Sequence, residues 1–223
     1  MNPAERLAIV ALMDHLRPRL SMEIGSKYGG SLAVLSHYSE RVISLDIDPT
    51  VPERLKHFPN VDFMIGDSGK TLPAKLTEIE EAREPLGFAL IDGDHSAEGV
   101  RRDIESFLHY CPLGSLYILM HDSFNPDVRR GIKSAGWQDC AYVQALDLDF
   151  VPGIMMSERP LAREMWGGFA LAVLGPDRRK GKLKPRATAE LVYRAAYPVS
   201  MHNLLFRRAT QAVQAIRRLD LGR

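Results

Sequence analysis

"MEIGSKYGGS", residues 22–31, is the stretch on which the fold turns. An apolar run closes with Glu23 and Ile24, and Gly25, Gly29 and Gly30 follow within six positions. Glycine accepts backbone conformations that a side chain resists, so it marks turns and close approaches. A strand that runs into such a loop, and then into a helix from about Ser31, is a strand–loop–helix unit of an open α/β sheet. Ligands bind such sheets outside the carboxyl ends of the strands, where the strand order reverses. The spacing is not G-x-G-x-x-G, which argues against an NAD-linked dehydrogenase. On residue chemistry alone, the glycines also fit a plain tight turn.

The rest of the chain extends the pattern. "LSMEI" (20–24), "RVISLDI" (41–47), "VDFMI" (61–65), "LGFALID" (86–92) and "SLYILMHD" (115–122) read as strands. Helical patterns lie between and after them at 31–39, 52–58, 72–82, 97–111 and 125–136, and a further helix precedes them near the N-terminus. This alternation predicts a parallel sheet covered by helices on both faces. After Trp137 the rhythm changes: "CAYVQALDLDF" (140–150) and "GGFALAVLG" (167–175) read as strands with no long helix between them. They predict an antiparallel hairpin at one sheet edge, and the connector holding Pro152, Gly153 and Pro160 is long enough to form a lid. Trp166 fits either that lid or simple packing.

Residues 1–176 thus read as one domain, and 177–223 as a basic linker followed by a helical extension. From Arg178 onward twelve Lys/Arg face only Glu190 and Asp220, a balance of +10; that leaves −9 for the rest of a chain whose total is +1. Leu205, Ala209, Ala212, Val213 and Ile216 share one face of the expected helix. A solvated face is the plain reading, and docking on a second subunit, an acidic lipid surface or an anionic substrate are the others. No apolar run is long enough to span a bilayer. The two cysteines, Cys111 and Cys140, carry no metal-type spacing, which favours a cytoplasmic setting over a disulfide scaffold.

Chemistry-bearing residues collect at the strand ends. Glu23 ends the first strand, where a carboxylate could accept from a ligand ammonium. Asp46 ends the second, about 20 residues after Gly25, and a carboxylate there can hold two ribose hydroxyls. Asp48 and Pro49 suit a helix start. Asp67 and Ser68 follow the third strand, where they could meet a purine edge or cap a helix. "LIDGDHSAEG" (90–99) places Asp92, Asp94 and His95 after the fourth strand, and "LMHDSF" places His121, Asp122 and Ser123 after the fifth. Carboxylates and imidazoles converging on one pocket suit a divalent cation. A histidine there also suits general base catalysis. His121 fits a structural hydrogen bond equally well.

Together these residues resemble the class I S-adenosylmethionine-dependent methyltransferases over roughly residues 20–175. Glu23, Gly25 and Gly29 match an E-x-G-x-x-x-G form of the first motif, with Lys27 where the commoner form has its middle glycine. Asp92 and Asp122 match the metal-binding aspartates of the catechol-type O-methyltransferases. His95 stands where those enzymes have a lysine, and Ser123 where they have an asparagine ligand. The I-D-G-D-H form resembles bacterial sugar and natural-product O-methyltransferases, in which His121 would sit where a second ligand can occur.

The resemblance implies a Rossmann-like, doubly wound, seven-stranded, mostly parallel sheet with a C-terminal antiparallel hairpin. It implies S-adenosylmethionine held by Glu23, Gly25, Gly29, Ser31, Asp46, Asp67, Ser68 and Asp92. A magnesium or other divalent ion would sit on Asp92, His121 and Asp122, with His95 and Asp92 catalytic. The acceptor would be a small-molecule hydroxyl of a sugar or natural product. Nucleic acid is not expected, because no N-P-P-Y-like motif follows the fourth strand and the basic residues are confined to the tail. The amphipathic tail leads to the expectation of a homo-oligomer. A reading of another class is a non-catalytic cofactor-binding module that acts through its basic C-terminal helix.

Overall fold

The computed structural model describes residues 1–208. Helix α1 (Pro3–Leu16) precedes strand β1 (Leu20–Ile24), and α2 (Gly30–Tyr38), β2 (Arg41–Asp46), α3 (Val51–Leu55), β3 (Val61–Ile65) and α4 (Ser68–Glu81) follow. Next come β4 (Leu86–Ile91), α5 (Ala97–His109), β5 (Leu116–His121) and α6 (Pro126–Ser134). The chain then forms β6 (Val143–Val151), β7 (Ile154–Met155), β8 (Met165–Trp166), β9 (Phe169–Leu174) and α7 (Glu190–Ala196).

The main sheet has seven strands in the order β3-β2-β1-β4-β5-β9-β6. Strands β1 to β5 are parallel, and β9 alone reverses direction. Two apolar layers cover the faces. One packs Leu72, Leu76, Ile104, Phe107, Val128 and Ile132 of α4–α6 against the sheet. The other packs Ile9, Met13, Leu32, Leu35, Val51 and Leu55 of α1–α3. Strands buried on both faces read as near-continuous apolar runs, which is why periodicity found them.

The expected antiparallel hairpin forms at one end of the sheet, with β6 as its outer strand. Strand β9 does not lie at the edge: it inserts between β5 and β6, with both as antiparallel partners. Its sequence carries the reason. Phe169, Ala170, Ala172 and Leu174 are all buried, as an interior strand requires. The connector folds into a small β7–β8 ribbon.

Two helix starts also differ from the reading. Helix α4 begins at Ser68 rather than 72, because Asp67 caps it by accepting from the Gly69 N–H at 2.9 Å. Asp48 is not a cap; it accepts from Thr50 N–H just ahead of α3.

The extension does not leave the body at residue 177. Leu183 and Ala189 are buried, Arg186 bridges to β6, and Glu190 meets Arg129 of α6 at 2.9 Å. Of the expected apolar stripe, Leu205 falls within the described residues, whereas Ala209, Ala212, Val213 and Ile216 lie outside them. Among the described residues no helix is long and apolar enough to cross a membrane.

Candidate active site

The strand order reverses between β1 and β4, so the crevice for a ligand opens at their carboxyl ends. A cleft of about 480 Å³ lies there, lined among others by Gly25, Lys27, Asp46, Asp67, Ser68 and Asp92. A second cavity of about 610 Å³ lies between α1 and α2, lined among others by Ile9, Tyr28, Ser31, Val34, His121 and Asp122. The two share Gly25, Lys27, Asp92 and His95.

The glycine loop is shaped by the protein itself. Gly25 has φ +86°, and a Cβ there would meet the Asp92 carbonyl oxygen at 2.3 Å. The close approach it permits is therefore to the end of β4. Gly29 caps α2 in the left-handed conformation. Lys27, at the position of the missing glycine, has φ +47°, the conformation a glycine would take. Such a backbone costs an L-residue roughly 1–2 kcal/mol.

Asp46 holds this loop in place. Its Oδ2 accepts from the Ser26 and Lys27 N–H groups, both at 2.9 Å, and its Oδ1 from Asp48 N–H at 2.9 Å. One lone pair, on Oδ1, remains for a ligand. Asp67 caps α4 and also lines the cleft. Ser68 lines the cleft and donates to the buried Asp103 of α5 at 2.8 Å, a partner the sequence did not disclose.

Glu23 departs from expectation. It is fully buried on the α1–α2 face of β1 and lines neither cavity. Ser26 Oγ donates to it at 2.6 Å, and Ser31 also hydrogen-bonds to it. Burial pushes its carboxyl up to about 7. Glu23 and Ser31 thus brace the loop from behind.

At the junction of the cavities stands a cluster of two imidazoles and three carboxylates. His95 Nε2 lies 3.0 Å from Asp122 Oδ2 and 3.5 Å from Asp92 Oδ1. His121 Nδ1 lies 2.9 Å from Asp92 Oδ1, and its Nε2 lies 3.4 Å from Glu5 Oε2. Hydrogen bonds to Asp122 and Asp92 raise His95 to about 9. Burial opposes the charge on His121, but Asp122, Asp92 and Glu5 outweigh it and raise that group too. Burial raises the three carboxyls, and their histidine hydrogen bonds more than reverse this, so Glu5, Asp92 and Asp122 all fall below their ordinary values.

Asp92, His95 and Asp122 bring one ligand atom each to within 4.8 Å of one another. His95 therefore takes the place in the trio expected of His121. His121 stands behind it, with both ring nitrogens against carboxylates. Asp122 adopts φ +54° and is anchored by Gly167 N–H on Oδ1 at 2.7 Å, which leaves Oδ2 toward the trio. Ser123 is buried and outside the trio. Trp166 of β8 meets His95 edge-on, with ring centroids 5.7 Å apart, so the lid does reach the site.

Glu5 is the site residue that sequence reasoning missed. It is buried, and it closes a capping box with Asn2 at the start of α1. It also accepts from Gly168 N–H at 2.6 Å. The spacing Asn2-x-x-Glu5 signals a cap, but nothing local shows that the cap faces a histidine.

With this geometry in view, the likeness to known proteins has physical content. Residues 22–123 match a family model described as a methyltransferase domain. That segment runs from β1 to the end of β5 and holds the cleft and the trio. Over that segment the chain is similar to methyltransferase domains.

Among solved structures, cofactor-bound Rv0187 from MTB is 20% identical, with TM-score 0.57, covering 80% of this chain and 82% of that one. The O-methyltransferase TomG from Streptomyces achromogenes, involved in tomaymycin synthesis and solved with SAM, is 15% identical, with TM-score 0.56 and coverage of 78% and 81%. An O-methyltransferase from Bacillus cereus, in complex with SAH, is 19% identical, with TM-score 0.55 and coverage of 78% and 82%. At such identities the likeness is one of fold. No curated protein matches the sequence.

Proposed function

We propose that this chain methylates a hydroxyl oxygen of a small molecule, a sugar or natural product, using S-adenosylmethionine and a divalent cation held by Asp92, His95 and Asp122. The observation that carries the reading is the convergence of those three side chains where the two cavities meet. Two carboxylates and an imidazole suit magnesium or manganese, and the carboxylates balance a double positive charge. When bound, the cofactor supplies an electrophilic methyl group, and the ion lowers the pKa of a hydroxyl beside it.

The chain's own residues do the positioning. Asp46 would receive a ribose hydroxyl on its free lone pair, and Asp67 and Ser68 would meet the adenine. The Gly25–Gly29 loop would border the methionine part. Two adjoining cavities would let donor and acceptor approach from opposite sides, as in-line displacement needs. His121 fixes Asp92, Gly167 fixes Asp122, and Trp166 packs edge-on against His95. Two free cysteines support a reducing, cytoplasmic setting. Exposed Leu191, Val192, Leu204 and Leu205 support a homo-oligomer.

The test is manganese binding by calorimetry, together with release of S-adenosylhomocysteine over a panel of phenolic and sugar hydroxyl acceptors, with and without a chelator. The wild type should bind manganese and lose turnover on chelation, with magnesium restoring it. The D92N/D122N double variant should bind no ion. A second reading has a specific observation in its favour: His95 Nε2 stands 3.0 Å from Asp122, the arrangement of an oriented general base. Full turnover after exhaustive chelation, lost in His95→Gln, selects that reading instead.

A further inference from the structure

We infer that Lys27 receives the α-carboxylate of S-adenosylmethionine, an inference that rests on the proposed use of that cofactor. Four observations converge on this residue. Its backbone is strained at φ +47° and pinned from both sides: its N–H donates to Asp46 at 2.9 Å, and its carbonyl accepts from Arg54 at 2.7 Å. A glycine would sit there without strain, and non-glycine residues held in such conformations cluster where the side chain has work to do. Lys27 lines both the cleft and the adjoining cavity.

Charge supplies the third observation. The cleft wall carries Asp46, Asp48, Asp67, Asp92 and Asp94. A bare carboxylate entering it would be repelled unless a cation met it. Of the other cations lining the cleft, Arg102 is committed to Asp67 at 3.2 Å and His95 to Asp122 at 3.0 Å. Lys27 has no ion pair among the described residues; its Nζ lies 5.6 Å from the Tyr28 ring centroid.

Direction is the fourth. Asp67 and Ser68 mark the adenine side and Asp46 the ribose. The amino-acid end of the cofactor then points toward Gly25 and Lys27, at the junction with the acceptor cavity.

The experiment compares S-adenosylhomocysteine with 5′-methylthioadenosine, which lacks the amino-acid carboxylate, by calorimetry on the wild type, Lys27→Gly, Lys27→Met and Lys27→Arg. Lys27→Gly relieves the strained backbone, so its melting temperature should be equal or higher and misfolding cannot mimic the effect. Both uncharged variants should bind S-adenosylhomocysteine about 10- to 100-fold more weakly, the scale of a charge-assisted hydrogen bond. Their affinity for 5′-methylthioadenosine should be unchanged, and Lys27→Arg should retain most of the wild-type affinity for both. Undiminished S-adenosylhomocysteine binding in Lys27→Gly overturns the inference while leaving the cofactor reading intact. Equal weakening toward both ligands overturns it as well, because the loop rather than the charge would then be responsible. A wild type that binds neither ligand ends both readings.

Discussion

The two sides of the active site are built by different means. The cofactor cleft is made of loops that each follow their own strand, and its carboxylates are held by backbone N–H groups close at hand, as Asp46 is by Ser26, Lys27 and Asp48. The acceptor side is made of side chains from far apart: Glu5 meets His121 across 116 positions and Gly168 across 163. The first side is a backbone device that needs few particular side chains. The second is an ion cluster whose members fix one another. One fold can thus keep the loop side while the cluster side changes, because their cavities share only Gly25, Lys27, Asp92 and His95.

This contrast can be broken or sharpened by substitution. The largest effect is expected at Glu5. In Glu5→Ala the reciprocal half of the α1 capping box is lost and the Gly168 N–H is left unpaired, so chemical denaturation should show a loss of about 3 kcal/mol. S-adenosylhomocysteine affinity should stay near that of the wild type, and a collapse of that affinity would show that the two sides are not separable.

Asp46→Ala comes next. Three loop N–H groups lose their acceptor and the ribose its partner, so calorimetry should show cofactor binding weaker by about 2 kcal/mol. Unchanged affinity would remove Asp46 from the cofactor side.

Glu23→Gln separates bracing from ligand contact. Burial raises Glu23 to about 7 from an ordinary 4.5, so the folded state binds its proton more tightly than the unfolded one. That contribution is complete below pH 4.5 and is lost as the pH rises through about 7. Glutamine carries no such dependence. The variant should therefore gain on the order of 1–2 kcal/mol over the wild type at pH 8 and no advantage near pH 4.5, read from urea melts at both. Loss of cofactor binding without that gain would return Glu23 to the ligand.

The smallest effect is expected at Gly30. A Cβ there meets nothing within 4 Å, and its backbone is helical. Gly30→Ala should raise stability by about 0.5 kcal/mol and leave S-adenosylhomocysteine affinity unchanged. A fall in that affinity would place the cofactor, rather than the acceptor, against the start of α2.

The same contrast explains what the sequence disclosed. Asp46, Asp67 and Asp92 were legible because each ends a recognisable apolar strand, and a strand end in this fold is a site by topology. Gly25 was legible as a requirement, though its cause is the backbone of Asp92 rather than a ligand. Glu5 was not legible, because its partners lie on β5 and just ahead of β9 and no local pattern encodes them. The exchange of places between His95 and His121 was hidden for a related reason. Both follow carboxylate-rich strand ends, and only the packing of α1 beneath His121 decides which ring is enclosed. The interior position of β9 could have been read from its two-sided apolar pattern, since an edge strand would show alternation.

The inserted β9 also sets an order of assembly during synthesis. Strand β6 pairs with β9 in the sheet and with no other strand, so it has no sheet neighbour until residues 169–174 have been made. Glu5, present from the first turn of helix, must wait for Gly168 before its Oε1 meets that N–H. A nascent chain on the ribosome can pair the five parallel strands before β9 and β6 join them. The clasp of Glu5 on Gly168 is therefore, in the life of each molecule, among the last contacts of this sheet to close.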